Sequence, residues 1–232
     1  AVNLLEELNA PAYKIASFEA IDLALIKYVA TTNKPMIIST GIANKLEIEE
    51  AIDTAHDGGC RELAILHCVS GYPAPSIDYN LHTLVDIKKR YGLVTGLSDH
   101  TLNNNTAIAS VALGAAIIEK HFTIDKNSGS PDDSFSLEPK EFQSLCVDCK
   151  SVWSSLGEIN YECKQSEKDN IQFRRSLYFV RDLKAGDTIT AESIKSVRPG
   201  FGLAPKFINE IIGRKILTDI ARFTPVKREL IK

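Results

Sequence analysis

The sequence predicts an α/β protein in which parallel strands alternate with helices, as a parallel sheet or a (β/α) barrel, with a small second domain after it. Five short apolar runs recur at intervals of about 22 to 31 residues, the spacing of successive βα units. The stretches between them are amphipathic, with apolar residues three and four positions apart. From residue 173 onward the pattern changes to short β-type pieces separated by turns rich in Gly, Pro and Asp.

Each apolar run is interpreted as a buried strand and each amphipathic stretch as a helix. The strands are expected at residues 11–17, 34–40, 62–70, 93–98 and 115–123. The helices are expected at residues 19–31, 45–56, 80–91, 104–113 and 139–156. The stretch after the last helix is polar and without hydrophobic periodicity, so we predict a linker at residues 158–172. Residues 1–157 before it form the predicted α/β domain, and residues 173–232 after it form the second domain. The second domain is expected to contain β-type pieces at 176–180 and 188–190.

Composition places the chain among ordinary globular proteins. Of its 232 residues, 44% are hydrophobic and 25% are charged, which excludes disordered, collagen-like and disulfide-stapled classes. No apolar run approaches the roughly 18–20 residues of a membrane span, and the first residues lack the pattern of a signal peptide. Five cysteines at irregular spacing are typical of reduced thiols. We therefore expect a soluble, cytoplasmic protein with no membrane partner.

Charge is divided unevenly along the chain. Residues 1–172 carry 14 Lys and Arg against 24 Asp and Glu, whereas residues 173–232 carry 13 against 6. The basic segment has no run of more than two basic residues and no interleaved aromatic residues, the features that nucleic-acid binding favours. An anionic small molecule or an acidic protein surface is the expected partner of the segment, and nucleic acid is not.

Polar residues follow the predicted strands, where the active sites of parallel α/β folds lie. Serine or threonine at such a position can also cap the next helix. For any single residue, this capping role explains its presence as well as a role in a site does. All five strands end in this way, which favours a site. The candidates are Lys14, Ser17, Glu19, Ser39, Thr40, Ser70, Tyr72, Ser98, Asp99, His100 and His121.

His100 and His121 follow adjacent strands, so their imidazoles are expected to face one cavity and to hold a divalent metal. Lys14 and the serines offer one cation and several donors, which suit a phosphate or carboxylate. Glu19 could act as a base or hold a sugar hydroxyl. The remaining histidines, His56, His67 and His82, and the lone CxxC pair, Cys146 and Cys149, are interpreted as structural.

Several segments resemble the sialic acid synthase family in this order and spacing. They are KIASFE at 14–19, ISTG at 38–41, LHC at 66–68, YPAP at 72–75, GLSDHT at 96–101 and EKHF at 119–122. The tail, including Arg198-Pro-Gly, is similar to the antifreeze-like SAF domain of the same family. Within the family, SFEA at 17–20, SGYPAP at 70–75, DSFSLE at 133–138 and RRSLY at 174–178 resemble pseudaminic acid synthases most.

The resemblance implies a partial TIM (β/α)8 barrel containing the last five strands, followed by a small β-clip SAF domain. It implies condensation of phosphoenolpyruvate with an N-acetylated amino sugar, a 2,4-diacetamido-2,4,6-trideoxy hexose, to give a nine-carbon sugar and phosphate. By the same resemblance, phosphoenolpyruvate contacts Lys14, Ser17, Ser39 and Ser98, with Ser70 in place of the more usual Asn. The resemblance also implies that His100 and His121 hold Mn²⁺ or Mg²⁺. It implies that the sugar faces Glu19, Tyr72 and Asp132, and that Arg198 enters the partner's active site in a homodimer.

One departure from the family is large, because a (β/α) barrel needs eight strands and five are visible. The resemblance implies roughly a hundred further residues before the equivalent of Ala1, which would supply the first three strands. The sequence does not begin with Met, and its single methionine is Met36. We therefore expect an N-terminal part to be missing and this chain alone to be catalytically incomplete.

Two alternative functions stay open at this stage. An N-acetylneuraminate or legionaminate synthase would differ only in its sugar. A non-catalytic carbohydrate-binding or ice-binding protein, built around the antifreeze-like tail, would have no need of the lysine and histidines at the strand ends.

Overall fold

The computed structural model describes all 232 residues, in two compact units, Ala1–Glu158 and Ile159–Lys232. The first unit contains five parallel strands paired in chain order, which form a half-barrel. These strands are β1 (Tyr13–Ile15), β2 (Met36–Ser39), β3 (Leu63–Cys68), β4 (Val94–Asp99) and β5 (Ile117–Lys120). With the small antiparallel sheet of the second unit, they confirm the predicted fold class.

Helices connect the strands of the first unit and cover its outer face. They are α1 (Val2–Glu7), α2 (Leu23–Ala30), α3 (Lys45–Asp57), α4 (His82–Tyr91), α5 (Asn105–Ala112) and α6 (Pro139–Leu156). A capping box in which Asn44 and Glu47 each satisfy the other's backbone N–H starts α3. Gly92, at φ +66°, ends α4 because only glycine adopts this backbone conformation without strain.

The core of the half-barrel lies between its sheet and the helices, where strand and helix residues pack together. Ile38 and Ile65 from the strands are at most 2% exposed, as are Ile26 and Val29 from α2. Their burial fixes the strands relative to one another. The carboxyl ends of all five strands therefore meet at one edge, which is where the candidate residues were expected.

The second unit is built on a two-stranded antiparallel sheet, β6 (Ser176–Phe179) with β7 (Ile194–Val197), and a short helix α7 (Ile208–Ile211). Its own core includes Leu177 and Phe179 from β6 and Val226 near the chain end. The β piece predicted at residues 188–190 does not form a strand, and makes one isolated bridge, between Thr188 and Lys215. β6 pairs instead with the later strand β7, whose backbone groups complete the hydrogen-bonded ladder.

Residues 158–172, predicted as a linker, contain the start of a 3-10 helix at Gln165–Phe173. The Lys164 backbone N–H donates to the Glu167 carboxylate at 2.8 Å, which satisfies one of the donors that a helix start leaves free. This local bond explains a helix in a segment without hydrophobic periodicity.

None of the helices combines the length and the apolar composition that crossing a membrane requires. All five cysteines are free thiols.

Candidate active site at the carboxyl ends of the strands

A cavity of about 320 Å³ opens at the carboxyl ends of the five strands. Every strand or the loop directly after it contributes polar side chains to the wall, which is the arrangement expected of an active site in a parallel α/β fold. Its lining brings together seven of the predicted residues with Ala16, Glu119 and Lys120. The seven are Lys14, Ser17, Ser39, Tyr72, Ser98, His100 and His121.

Two imidazoles and one phenol form the side of the cavity above β4 and β5. The ring centroids of His100 and His121 are 5.3 Å apart. The Tyr72 ring lies 4.3 Å from the His100 ring and 5.7 Å from the His121 ring. Tyr72 thus packs against both imidazoles.

The hydrogen bonds of His100 define which ring nitrogen is free. Its Nδ1 lies 2.7 Å from the carbonyl oxygen of Val69, and because a carbonyl only accepts, Nδ1 must carry the proton. Burial lowers the pKa of His100 despite the opposing hydrogen bond to Val69, so the ring is neutral near pH 7. The neutral ring keeps a lone pair on Nε2, which is the form that binds a metal.

The spacing of the two imidazoles fits a shared metal ion. Two imidazoles bound to one ion at about 2.0–2.1 Å and angles of roughly 90–110° have centroids about 4.5–5.3 Å apart. The distance between His100 and His121 falls at the upper end of this interval. No group of three or more His, Cys, Asp or Glu side chains in the chain could hold a metal together. Within this chain the side chains placed to share an ion here are therefore the two imidazoles.

The opposite side of the cavity is rich in hydroxyl groups. Ser17 and Ser70 share a 2.7 Å hydrogen bond between their Oγ atoms, so Ser70 is linked to the wall although it does not line the cavity. Gly41 follows β2 at φ +39°, and a Cβ there would collide with both serines. Glycine at this position lets the loop after β2 approach them closely. The result is a cluster of donors beside Lys14 that suits an anion.

Glu119 is a cavity residue that the sequence analysis did not single out. Its Oε2 lies 3.4 Å from Lys14 Nζ and 3.5 Å from Ser39 Oγ, so one carboxylate joins the lysine to the serine side. The signal that could have identified it is strand alternation, since residues two apart on a strand face the same side. Glu119 is two residues before His121, and both line the cavity.

The other predicted residues lie outside the cavity wall. Glu19 is exposed on the 3-10 turn Ser17–Glu19, and its role toward the sugar stays a prediction. Oδ2 of Asp132 is 3.5 Å from Nδ1 of His121, and its side chain is 58% exposed. Arg198 belongs to the second unit, directly after β7.

The residues interpreted as structural have local partners or none. Nε2 of His67 contacts the carbonyl oxygen of Tyr79 inside the half-barrel, and burial lowers the pKa of His67. Nδ1 of His56 contacts the carbonyl oxygen of Cys60 at 3.1 Å.

Comparison with known proteins gives two family matches. A model described as the NeuB family matches residues 1–161, and one described as the SAF domain matches residues 174–231. The chain is 40% identical to the pseudaminic acid synthase of Helicobacter pylori, over 100% of this chain and 68% of that protein. It is 38% identical to the N,N'-diacetyllegionaminic acid synthase of Campylobacter jejuni, over 92% of this chain and 65% of that protein.

A solved structure shares the architecture as well as the sequence. The N-acetylneuraminic acid (sialic acid) synthetase of Leptospira borgpetersenii, determined in complex with citrate, matches with a TM-score of 0.68 and 34% identity. The match covers 73% of this chain and 59% of that chain. The chain spans about two thirds of the length of the curated relatives it matches, 64% to 68% in the first four.

Proposed function

Because the chain belongs to the NeuB family, as the predicted resemblance to sialic acid synthases implied, we propose that it condenses phosphoenolpyruvate with an N-acetylated amino sugar. The observation that carries the proposal is the cavity in which Lys14 and three serines face two neighbouring imidazoles. Such a site offers an anion-binding side and a metal-binding side to two substrates at once. The names of the synthases to which the chain is similar support the same class of reaction.

The proposed reaction joins two carbon skeletons and releases phosphate. C3 of phosphoenolpyruvate forms a bond to the aldehyde carbon of the open-chain sugar, and the aldehyde oxygen takes up a proton to become a hydroxyl. Water adds at C2 of the former phosphoenolpyruvate. The bond between C2 and the bridging oxygen then breaks, so that this oxygen leaves with the phosphate and the C2 oxygen supplied by water becomes the ketone.

The anion side of the cavity would bind phosphoenolpyruvate. The Lys14 ammonium and the hydroxyls of Ser17, Ser39 and Ser98 are charged and neutral donors for its phosphate and carboxylate oxygens. Ser70 supports this side through its bond to Ser17. The hydrogen bonds fix the reacting carbon against the sugar, and such positioning lowers the barrier by removing rotational freedom.

His100 and His121 would hold Mn²⁺ or Mg²⁺ on the other side. A divalent ion bound there supplies Lewis-acid polarisation of the aldehyde oxygen. Tyr72 packs against both rings on this side. Glu119, beside Lys14, can accept a proton from the attacking water. Glu19 and Asp132 are proposed to face the sugar.

Isotope-labelled phosphoenolpyruvate tests the proposed bond cleavage. With ¹⁸O in the bridging position, the protein as its gene encodes it is expected to release phosphate that carries the label, and only when sugar and metal are both present. Mass spectrometry of the phosphate measures the label. Label retained in the sugar product would mean P–O cleavage, and phosphate release without sugar would point to a hydrolase.

The sugar is proposed to be a 2,4-diacetamido-2,4,6-trideoxy hexose, which gives pseudaminic acid. The segments at 17–20, 70–75, 133–138 and 174–178 support this choice over neuraminate. The 38% identity to a legionaminic acid synthase makes legionaminate the second candidate. The stereochemistry of the nine-carbon product, determined by NMR, separates these two products.

The kcat/KM for the diacetamido sugar is expected to exceed that for N-acetylmannosamine by about a hundredfold. A pocket shaped for a second acetamido group and a deoxygenated C6 leaves polar groups unpaired when the other sugar binds. Coupled phosphate release measured with each sugar at equal enzyme concentration gives the ratio. A ratio of one or less would favour N-acetylneuraminate synthase.

We also propose a homodimer in which residues 173–232 of one subunit cap the half-barrel of the other, with Arg198 entering the partner's site. The opposite charges of the two segments support it, 13 Lys and Arg against 6 Asp and Glu in the tail, 14 against 24 before it. Oppositely charged surfaces attract each other and set the orientation in which two subunits associate.

A cytoplasmic location is also proposed, and the five free thiols support it.

A further inference from the structure

A buried ion pair lies on the two strands that carry the histidines. Nζ of Lys120 is 2.8 Å from Oδ2 of Asp99, and the two side chains are 1% and 0% exposed. Removing two charges from water is costly, and apolar residues of similar volume often stabilise a fold equally well. The presence of the pair therefore calls for a role beyond stability.

The register of the sheet places this pair on the last rung before both imidazoles. Asp99 and Lys120 are direct partners in the ladder between β4 and β5, and the preceding rung joins Ser98 to Glu119. Successive side chains on a strand alternate between its two sides. Ser98 and Glu119 line the cavity; Lys120 also borders it, although the Asp99 and Lys120 side chains are buried in their mutual contact.

The Asp99 and Lys120 side chains also hold the backbone directly after His100 in place. Lys120 Nζ donates to the carbonyl oxygens of Thr101 at 2.6 Å and Asn103 at 3.0 Å. The Asp99 carboxylate accepts from the Thr101 backbone N–H at 2.9 Å and from its hydroxyl at 3.1 Å. His100 therefore stands between two anchored residues, 99 and 101.

His100 has a third anchor from the neighbouring loop. Its backbone N–H donates to the Tyr79 hydroxyl at 2.6 Å, and the Tyr79 side chain is fully buried. His121 is fixed through the chain as well, because it directly follows Lys120. Both histidines are thus tied to one rigid buried cluster, whereas their rings face the cavity.

We propose that Asp99 and Lys120 are positioning residues that hold the His100 and His121 rings at a separation at which one divalent ion binds both. The effect on metal binding rests on the proposed function, whereas the effect on ring spacing does not. Precise support of this kind matters because loss of a group that orients metal ligands typically lowers affinity by 10- to 100-fold.

The test uses the double variant Asp99→Asn with Lys120→Met, made in the protein as its gene encodes it. This change removes both charges and keeps similar volumes, so that no uncompensated ion is buried. We expect the Mn²⁺ affinity, measured by calorimetry, to fall by about 10- to 100-fold. In metal-free crystals we expect the separation of the two imidazoles to change and the strand order to stay the same.

A core truncation distant from the histidines is the matched control. Ile26→Ala removes a fully buried side chain from α2 and lowers stability without touching β4 or β5. Mn²⁺ affinity in this variant is expected to equal that of wild type. A role in stability alone would instead give equal affinities in the double variant and the control once both are folded.

Thr101→Val is the milder variant if the double variant does not fold. It removes the hydroxyl that lies 3.1 Å from the Asp99 carboxylate, 3.4 Å from Lys120 Nζ and 2.9 Å from the Asn103 carbonyl oxygen. We expect a several-fold loss of Mn²⁺ affinity. Wild-type affinity and ring spacing in every folded variant would overturn the proposal. A wild-type protein that binds no Mn²⁺ would refute the proposed metal site, and ring spacing in metal-free crystals would still test the positioning role.

Discussion

Replacing His100 or His121 with alanine is expected to lower metal-dependent turnover by about a thousandfold. Polarisation of a reacting oxygen by a bound ion is worth several kcal/mol, and each ~1.4 kcal/mol changes the rate tenfold. Either substitution removes one of the two imidazoles that this chain is proposed to contribute to the metal site. Steady-state phosphate release over a Mn²⁺ titration measures the loss, and excess metal should restore little of it.

His56→Ala is the control for these two substitutions. His56 lies on α3, where its ring contacts the Cys60 carbonyl oxygen away from the cavity. Turnover in this variant should stay within about twofold of wild type, because surface substitutions away from special features have small effects. A His100→Ala enzyme that keeps wild-type turnover, or a variant without both histidines that still binds Mn²⁺, would rule out the metal assignment.

Local sequence pattern was sufficient to predict the strand ends and most of the cavity. A short apolar run followed by a polar residue marks both the strand and the edge at which it ends. For this reason Lys14, Ser39 and His121 could be assigned to one edge of a sheet without knowing which strands pair. The parallel order of the strands then brings these residues around one cavity.

Features that depend on cross-strand register could not be predicted from the sequence. The bond between Ser17 and Ser70 joins residues 53 positions apart, and the Asp99–Lys120 pair forms because these residues share one rung. Asp99 is one of the polar residues predicted at the strand ends, but no local pattern pairs it with Lys120. The same reason applies to β7, whose pairing with β6 is decided by packing within the second unit and not by its own sequence pattern.

The basic tail was predicted from charge counts alone, and its proposed role depends on one arginine. An arginine that contacts a phosphate or carboxylate in a closed site is worth about 2–5 kcal/mol when its partner is left unpaired. Arg198→Ala is therefore expected to reduce kcat/KM by about a hundredfold or more. Lys195→Ala, an exposed neighbour on β7, is the matched control and should retain wild-type activity.

A hybrid dimer shows whether Arg198 acts in its own subunit or in its partner. One subunit carries Arg198→Ala and the other carries His100→Ala, each almost inactive as a homodimer. If the tails are exchanged, one of the two sites contains both an intact His100 and an intact Arg198, so purified heterodimers should recover about half of wild-type activity, one site out of two. Heterodimers that stay inactive, although mass spectrometry shows one subunit of each kind, would mean that Arg198 serves its own chain.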